Sequence, residues 1–509
     1  MDLKTNNKTI KLNDIIYDKK NEYGVDCEFT LPDYCPDIER ILKCEITPRL
    51  TDFNVLSDTA QIEICAVIGV LYATSDSTLF GYEMPINISK NVNIGLVEKE
   101  VSKSAVLSSE YVNCRAINKR KIDVHGSVCA HIQISQNNDC EYISEIEEDS
   151  VVLKRTNKRT LQTKGFCEKQ INVSDDVAIP QSMGSIVNII RQDARVVVDE
   201  CKGIAGKAIA KICVYYEILY LNEKDKYECL KHKIPASAII DIDGIDENCV
   251  CSSLADVCTN SIKATANADG EMRTLNISSK INLSVKAFCF NDISVVSDGY
   301  CIKYESEVQK QQIPMCEFIA DINEIANVSE NIELGSSIKE VLDVWCKPIN
   351  HTIKVEDDSA KVTGDMSVCV AVSDEKDNVK FYEKIVPYKQ VIHEQINTDS
   401  IDSNLNLCPC FCSYNIAGEN CIDIKIQLSV TGLITRTYSL PIVTKMNVDQ
   451  TRKKSFDSLP ALTVYYASKG EKLWDIALKY NTSTEAIFSA NSIECDELEQ
   501  DTILLIPSI

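Results

Sequence analysis

"DTAQIEICAVIGVLYATSDSTLFGYEMPINIS", residues 58–89, decides how this chain folds. It reads as two β-runs around a polar turn at Ser75-Asp76, the second led by aromatics and carrying Pro85. The same plan returns as "GKAIAKICVYYEILYLNEKDKYECLKHKIPAS" at 206–237, turning at Glu223-Lys224-Asp225. It returns again as "DSAKVTGDMSVCVAVSDEKDNVKFYEKIVPYKQ" at 358–390, turning between Asp374 and Asn378. Runs rich in β-branched and aromatic residues, interrupted by Asp, Asn and Ser, are what a hairpin requires. Pro85, Pro235 and Pro387 are expected to lie near the ends of the second runs, because proline cannot donate to a ladder.

On either side of each hairpin the copies continue to agree. Ahead of them lie "DCEFTLPDYCPDIERILKCEITP" from Asp26, "DDVAIPQSMGSIVNIIRQDARVVV" from Asp175 and "ENIELGSSIKEVLDVWCKPINHTI" from Glu330, each an extended piece, a bend and a strand. After them come closing strands from Lys121, Arg273 and Cys421. The last alternates Ile422, Ile424, Ile426, Leu428 and Val430 with polar residues, the pattern of a strand with one wet face. The expected fold is mainly β: three tandem antiparallel β-sandwich-like repeats at 1–150, 151–308 and 309–440, a linker at 441–460, and a small βααβ domain at 461–509. A threefold repeat points to a scaffold or array whose copies meet a partner at several points.

Bulk properties narrow the function. The net charge of −23 opposes nucleic acid and anionic lipid, whose affinity rests on Lys and Arg neutralising phosphate. The N-terminus lacks a basic start followed by an apolar run, so no secretory signal is expected. The longest apolar stretch, Ile64 to Ala73, is about half of what a membrane span needs.

Twenty-four cysteines raise the questions of disulfides and metal. There is no Cys-x-x-Cys, and no Cys/His spacing of the zinc type. The nearest groupings are Cys249 with Cys251, and Cys408, Cys410 and Cys412, which alternation places on one face. Reduced, structural thiols are the expectation, since free Cys serves a strand as a small hydrophobe. His125, His131, His232, His351 and His393 accompany no nucleophile motif, and no phosphate loop or metalloprotease helix is present. No enzyme activity, cofactor or metal is expected.

The string "LPDYCPDIERIL" at 31–42, "CRAINKRKIDVHG" at 114–126, the "GKA" at 206 and "DGEMR" at 269–273 resemble the SPOCS domain of spore-forming Firmicutes. The third copy is the most divergent.

The tail is a different unit. "LTVYYAS" is a strand; Leu473, Ile476, Ala477 and Tyr480 make one helical face; Ser483 is an N-cap with Glu485 in its first turn; Asn491 is placed to end the second helix left-handed; "TILLIP" returns as a strand. Tyr465, Gly470, Leu473, Ile476, Ala477, Asn491, Leu504, Ile506 and Pro507 make this stretch similar to the LysM domain. LysM units that grip N-acetylglucosamine polymers carry Asp-Thr after the loop glycine and a glycine before the last strand; here those places hold Glu471, Lys472 and Asp501. The expected partner surface is Lys469, Gly470, Glu471, Lys472, Leu473, Trp474, Lys479, Asn491 and Ile493. In it Trp474 is either a cap on the small core or an exposed anchor flanked by lysines.

Together these resemblances imply a non-enzymatic adaptor of spore-coat morphogenesis, in the mother-cell cytoplasm at the forespore surface and in the coat. Its tail would hold a coat-basement ATPase of the SpoIVA type. The alternative is a protein that binds peptidoglycan or N-acetylglucosamine polymers in the cortex or cell wall.

Overall fold

The computed structural model describes residues 4–507 except 98, 100, 149, 357, 393–400, 455–461 and 494. The first six strands are β1 (Thr5–Thr30), β2 (Arg40–Val55), β3 (Thr59–Ala73), β4 (Leu79–Asn93), β5 (Val101–Ala116) and β6 (Lys121–Ile146). They form two antiparallel three-stranded sheets, ordered β1-β6-β5 and β2-β3-β4. The second set is β7 (Val151–Ala178), β8 (Ile186–Ile204), β9 (Lys207–Asn222), β10 (Tyr227–Asp241), β11 (Val250–Ala266) and β12 (Met272–Cys301). The third is β13 (Tyr304–Glu333), β14 (Glu340–Glu356), β15 (Ser359–Ser373), β16 (Val379–Ile392), β17 (Asp402–Ile416) and β18 (Cys421–Lys453). Both repeat the first set's strand order, sheet for sheet. The divergent third copy therefore keeps the topology of the others.

Alternation builds each core. Along β3, Ala60, Ile62, Ile64, Ala66, Ile68 and Val70 face inward against Ile122, Val124, Val128, Ala130, Ile132 and Ile134 of β6. Equivalent cores form between β9 and β12 and between β15 and β18. The prolines do not end their strands: Pro85, Pro235 and Pro387 pair with Val67, Cys213 and Asp365 in mid-ladder. Their strands are sheet edges, where a missing N–H costs no ladder bond. Nor is 441–453 a linker. It is the end of β18, paired along β13 from Leu440 to Lys453, and it is polar because only Ile442, Val443 and Met446 face inward. Residues 455–460 of the expected linker lie outside the described residues.

The modules do not string out as an extended array. β4 packs on β8, β10 on β14, and β16 back on β2, so a head-to-tail contact is used three times and closes a ring. One recurring device makes this contact. Each second strand carries a register shift at the same place, at Ile41/Lys43, Ile189/Arg191 and Val341/Asp343. The extra residues, Leu42, Ile190 and Leu342, all join one apolar cluster shared by the three modules, with Leu71, Leu79, Leu219, Trp345 and Val379. A bulge re-aims side chains out of the regular alternation, here toward the neighbouring module. At the opposite end β6, β12 and β18 pack pairwise, burying Tyr142, Val295, Ile313 and Ile442.

Charge is buried where the modules meet. Arg191 Nε donates to Asp343 Oδ2 at 2.6 Å and the guanidinium lies 4.6 Å from the Trp345 ring centre. Trp345 Nε1 donates to Glu45 Oε1 at 3.0 Å, and Lys347 also pairs with Glu45. Burial opposes the Glu45 charge, but Lys347 outweighs it and holds the carboxyl below its ordinary value. Beside this network lies a cavity of about 370 Å³ lined by all three modules, with Arg49, Arg195, Asp256 and His351 on its wall.

Candidate functional site

The tail comprises β19 (Leu462–Ala467), α1 (Leu473–Tyr480), α2 (Thr484–Asn491) and β20 (Thr502–Pro507). Its core is Ala467, Leu473, Ile476, Ala477, Ile487, Leu498, Leu504 and Ile506, the helical face and strand positions the sequence marks. Ser483 caps α2 by accepting from the Ala486 N–H at 3.1 Å. Gly470 adopts φ +87°, which a side chain would resist, and its N–H donates to Leu498 O at 2.8 Å. Leu473 N–H and Leu498 N–H also cross to Asp496 and Glu471 carbonyls, so the loop before α1 is pinned to the chain before β20.

That loop and α1 border a depression of about 390 Å³ lined by Tyr465, Gly470, Glu471, Lys472, Asp475, Ile476 and Lys479. Glu471 Oε1 accepts from the Tyr465 hydroxyl at 3.3 Å, and Lys479 Nζ lies 5.1 Å from the Tyr465 ring centre. Asp501 is spent on the backbone: its Oδ1 accepts from Lys469 N–H at 2.8 Å. On the side of the hairpin away from Tyr465, Leu462, Val464 and Tyr466 of β19 and Ile503 and Leu505 of β20 all point outward and are exposed, Tyr466 by 75%. Cross-strand pairing of Val464 with Leu505 and of Tyr466 with Ile503 makes them one continuous apolar face. This face is absent from the expected surface, although the alternating run "LTVYYA" carries its signal.

Of the nine expected surface residues, four line the depression, Gly470, Glu471, Lys472 and Lys479, and Lys469 precedes Gly470 in the same loop. The other four are structural. Leu473 is fully buried and Ile493 packs against the same core. Asn491 does not end α2 in a left-handed turn; Ser492 does, at φ +53°. The Asn491 amide instead donates to Ile487 O and Leu505 O at 2.8 and 2.7 Å and accepts from Leu505 N–H, clamping the helix to β20.

Trp474 is neither a core cap nor an exposed anchor. It is 7% exposed and clusters with Val152, Tyr300 and Ile302 of the second module. Its ring meets Tyr300 edge-on at 5.2 Å, and Nε1 donates to Asp298 Oδ2 at 3.3 Å. The cation over it is Lys154 of that module, at 5.6 Å, not one of the tail's lysines. Asn481, left-handed at φ +51°, donates to Ile302 O at 2.6 Å. Lys454 Nζ donates both to Asn481 Oδ1 and to Cys301 O. The Tyr300 hydroxyl donates to Thr482 O. The tail is thus seated on the body through the stripe of α1 that the core does not use. Trp474 lies in the first turn of α1 and Asn481 caps its C-terminus, so the seat runs the length of the helix.

The remaining candidates separate. His125 is paired with Asp26 and Asp123, which raise its pKa, and His131 and His232 pair with Asp18 and Asp175. Burial lowers the pKa of His351, and His393 lies outside the described residues. Among the described residues no group of three His, Cys, Asp or Glu side chains is placed to hold a metal. A bulge between Pro409 and Phe411 breaks the alternation that would align Cys408, Cys410 and Cys412; Cys410 turns to Gln427 O. The expectation of reduced thiols fails at one place, because Cys249 and Cys289 are disulfide-bonded. The register that sets Val250 opposite Phe288 brings them together across a separation of 40 residues, invisible in the sequence.

The SipL, SPOCS-domain family matches residues 37–117 and 185–265, which span β2–β5 and β8–β11, and the LysM domain family matches residues 465–507. The architecture is SipL-like. SPOCS and LysM domains are binding domains, and this combination marks a sporulation protein with a LysM tail of the cell-wall-binding type. The third module, unmatched in sequence, is recognised by its identical sheet order. No curated protein and no solved structure matches the chain. No helix among the described residues is long and apolar enough to cross a membrane.

Proposed function

We propose that the chain is a coat-morphogenesis adaptor working in the mother cell at the forespore surface, and that its LysM tail holds a coat-basement ATPase of the SpoIVA type. The observation that carries this reading is the lining of the tail's depression. Glu471, Lys472, Asp475 and Lys479 crowd it with two charges of each sign. A neutral N-acetylated sugar offers no counter-charge, so binding there would strip water from ionic groups without replacing it. A folded protein surface supplies the opposite charges, and one that wraps the hairpin also covers the exposed apolar face of Val464, Tyr466, Ile503 and Leu505. The nine-residue surface expected from sequence is accordingly redrawn as Lys469, Gly470, Glu471, Lys472, Asp475 and Lys479 with that apolar face.

The LysM match itself favours a second reading, retention on peptidoglycan. One experiment separates the two. The full chain and the variants Lys472→Glu/Lys479→Glu and Tyr466→Ala are tested for capture of the purified ATPase and for sedimentation with insoluble peptidoglycan. The adaptor reading expects ATPase capture by the full chain and a tenfold or greater loss in either variant, about 1.4 kcal/mol. Sedimentation with peptidoglycan that chitin oligomers compete away, together with no ATPase capture, establishes the second reading instead.

A further inference from the structure

Each module places two cysteines against one another, always from its second and fifth strands. In the first module they are Cys44 on β2 and Cys114 on β5, in the second Cys201 on β8 and Cys251 on β11, in the third Cys346 on β14 and Cys412 on β17. These strands belong to opposite sheets and run beside each other in all three modules. Both members of each pair pack into the same module core. The pairs are not copies of a single register position. Cys44 stands opposite Val70, Cys201 opposite Ala210, whereas Cys346 stands opposite Val368, so the arrangement recurs although the position shifts.

We propose that these are three latent cross-links, Cys44–Cys114, Cys201–Cys251 and Cys346–Cys412, each of which closes on oxidation and joins the two sheets of its module. The inference stands independently of the tail's partner. Hydrogen peroxide is the oxidant class considered. One thiolate attacks a peroxide oxygen, the O–O bond breaks and water leaves, giving a sulfenic acid. The partner thiol then attacks that sulfur and a second water departs as the S–S bond forms. The pair loses its two hydrogens and two electrons, and peroxide is reduced to two waters. Contact with the partner and burial push the Cys44, Cys201 and Cys346 thiols up, while the same contact holds Cys114, Cys251 and Cys412 down, so the latter three supply the attacking thiolate and closure speeds up as pH rises. Access orders the three. Cys44 and Cys114 are both half-buried, while Cys346 and Cys412 are 2% and 3% exposed, so the first pair closes before the third.

The test uses the full chain, reduced and then exposed to hydrogen peroxide, folded or in denaturant, with free thiols blocked and peptides mapped by mass spectrometry. The proposal expects peptides joining the three named pairs, formed in the folded protein at tenfold or greater yield than in denaturant. It expects Cys44→Ser, Cys201→Ser and Cys346→Ser each to abolish one cross-link and leave the other two. Random pairings, or oxidation confined to exposed Cys495, in the folded wild-type chain overturn it. The wild-type comparison decides the matter even where a serine variant does not fold.

Discussion

Replacing Trp474 with alanine should detach the tail without unfolding it. The indole is 7% exposed, and its apolar neighbours Val152, Tyr300 and Ile302 belong to the second module rather than to the tail's own core. Removing a buried tryptophan costs about 3–5 kcal/mol, of which the edge-on ring pair is about 0.5–1.5 kcal/mol. The bond to Asp298 adds little at 3.3 Å, because that carboxylate keeps Lys310 at 2.7 Å. Asn481, Lys454 and Thr482 continue to hold the seat. A docking loss of about 3 kcal/mol, roughly a hundredfold in the ratio of seated to unseated tail, is therefore expected. Hydrogen exchange reads it directly. Amides at 298–302 and 478–482 should lose protection, while β19 and β20 keep theirs. Tryptophan emission should then come from Trp345 alone, 3% exposed and blue-shifted. If protection collapses throughout the tail, Trp474 belongs to the tail's own core. If nothing changes at 298–302, the seat does not depend on it, and the reasoning fails.

Three further outcomes follow from the body. Arg191→Met leaves Asp343 buried without its cation, Glu217 keeping Arg195 at 2.8 Å, and should cost about 3–5 kcal/mol in urea unfolding, with Asp343→Leu in the same chain recovering most of it. Burial pushes Asp256 up from 3.8 to about 6, so the folded protein binds a proton that the unfolded chain has already lost between those values. Stability from this group is therefore full below about pH 4 and falls as pH rises toward 6, by roughly 3 kcal/mol in all. Asp256→Asn should flatten that slope and raise Tm at pH 7. A β-carbon on Gly81 would lie 1.8 Å from the Ile190 carbonyl oxygen across the first module contact. Gly81→Val should accordingly destabilise by about 1–3 kcal/mol or more, with proteolysis showing the first and second modules loosened.

The repeated hairpins were legible because period-two alternation and polar turns are local, and β3–β4, β9–β10 and β15–β16 formed where those signals stood. The tail was legible for the same reason: its helical stripe and Ser483 cap are contained in a few dozen residues. What escaped was everything carried by distant partners. Leu42, Ile190 and Leu342 read as ordinary strand residues, and only the bulges turn them toward another module. The lower half of β18 read as linker because β13, its partner, starts more than a hundred residues earlier. Trp474 was recognised as unusual, but its neighbour Tyr300 lies 174 positions back, and no local pattern names it.

The bulge that repeats in every second strand also explains why the copies have drifted apart. The residues following it, Lys43, Arg191 and Asp343, occupy one station of the ring, and Glu45, Asp193 and Trp345 occupy the next. Three separate but identical subunits would be obliged to set like charges at each station, cation beside cation, then anion beside anion. Writing the trimer as a single polypeptide lifts that obligation. An aspartate can answer an arginine, and an indole can answer a glutamate, at places that symmetry would otherwise have forced to repel.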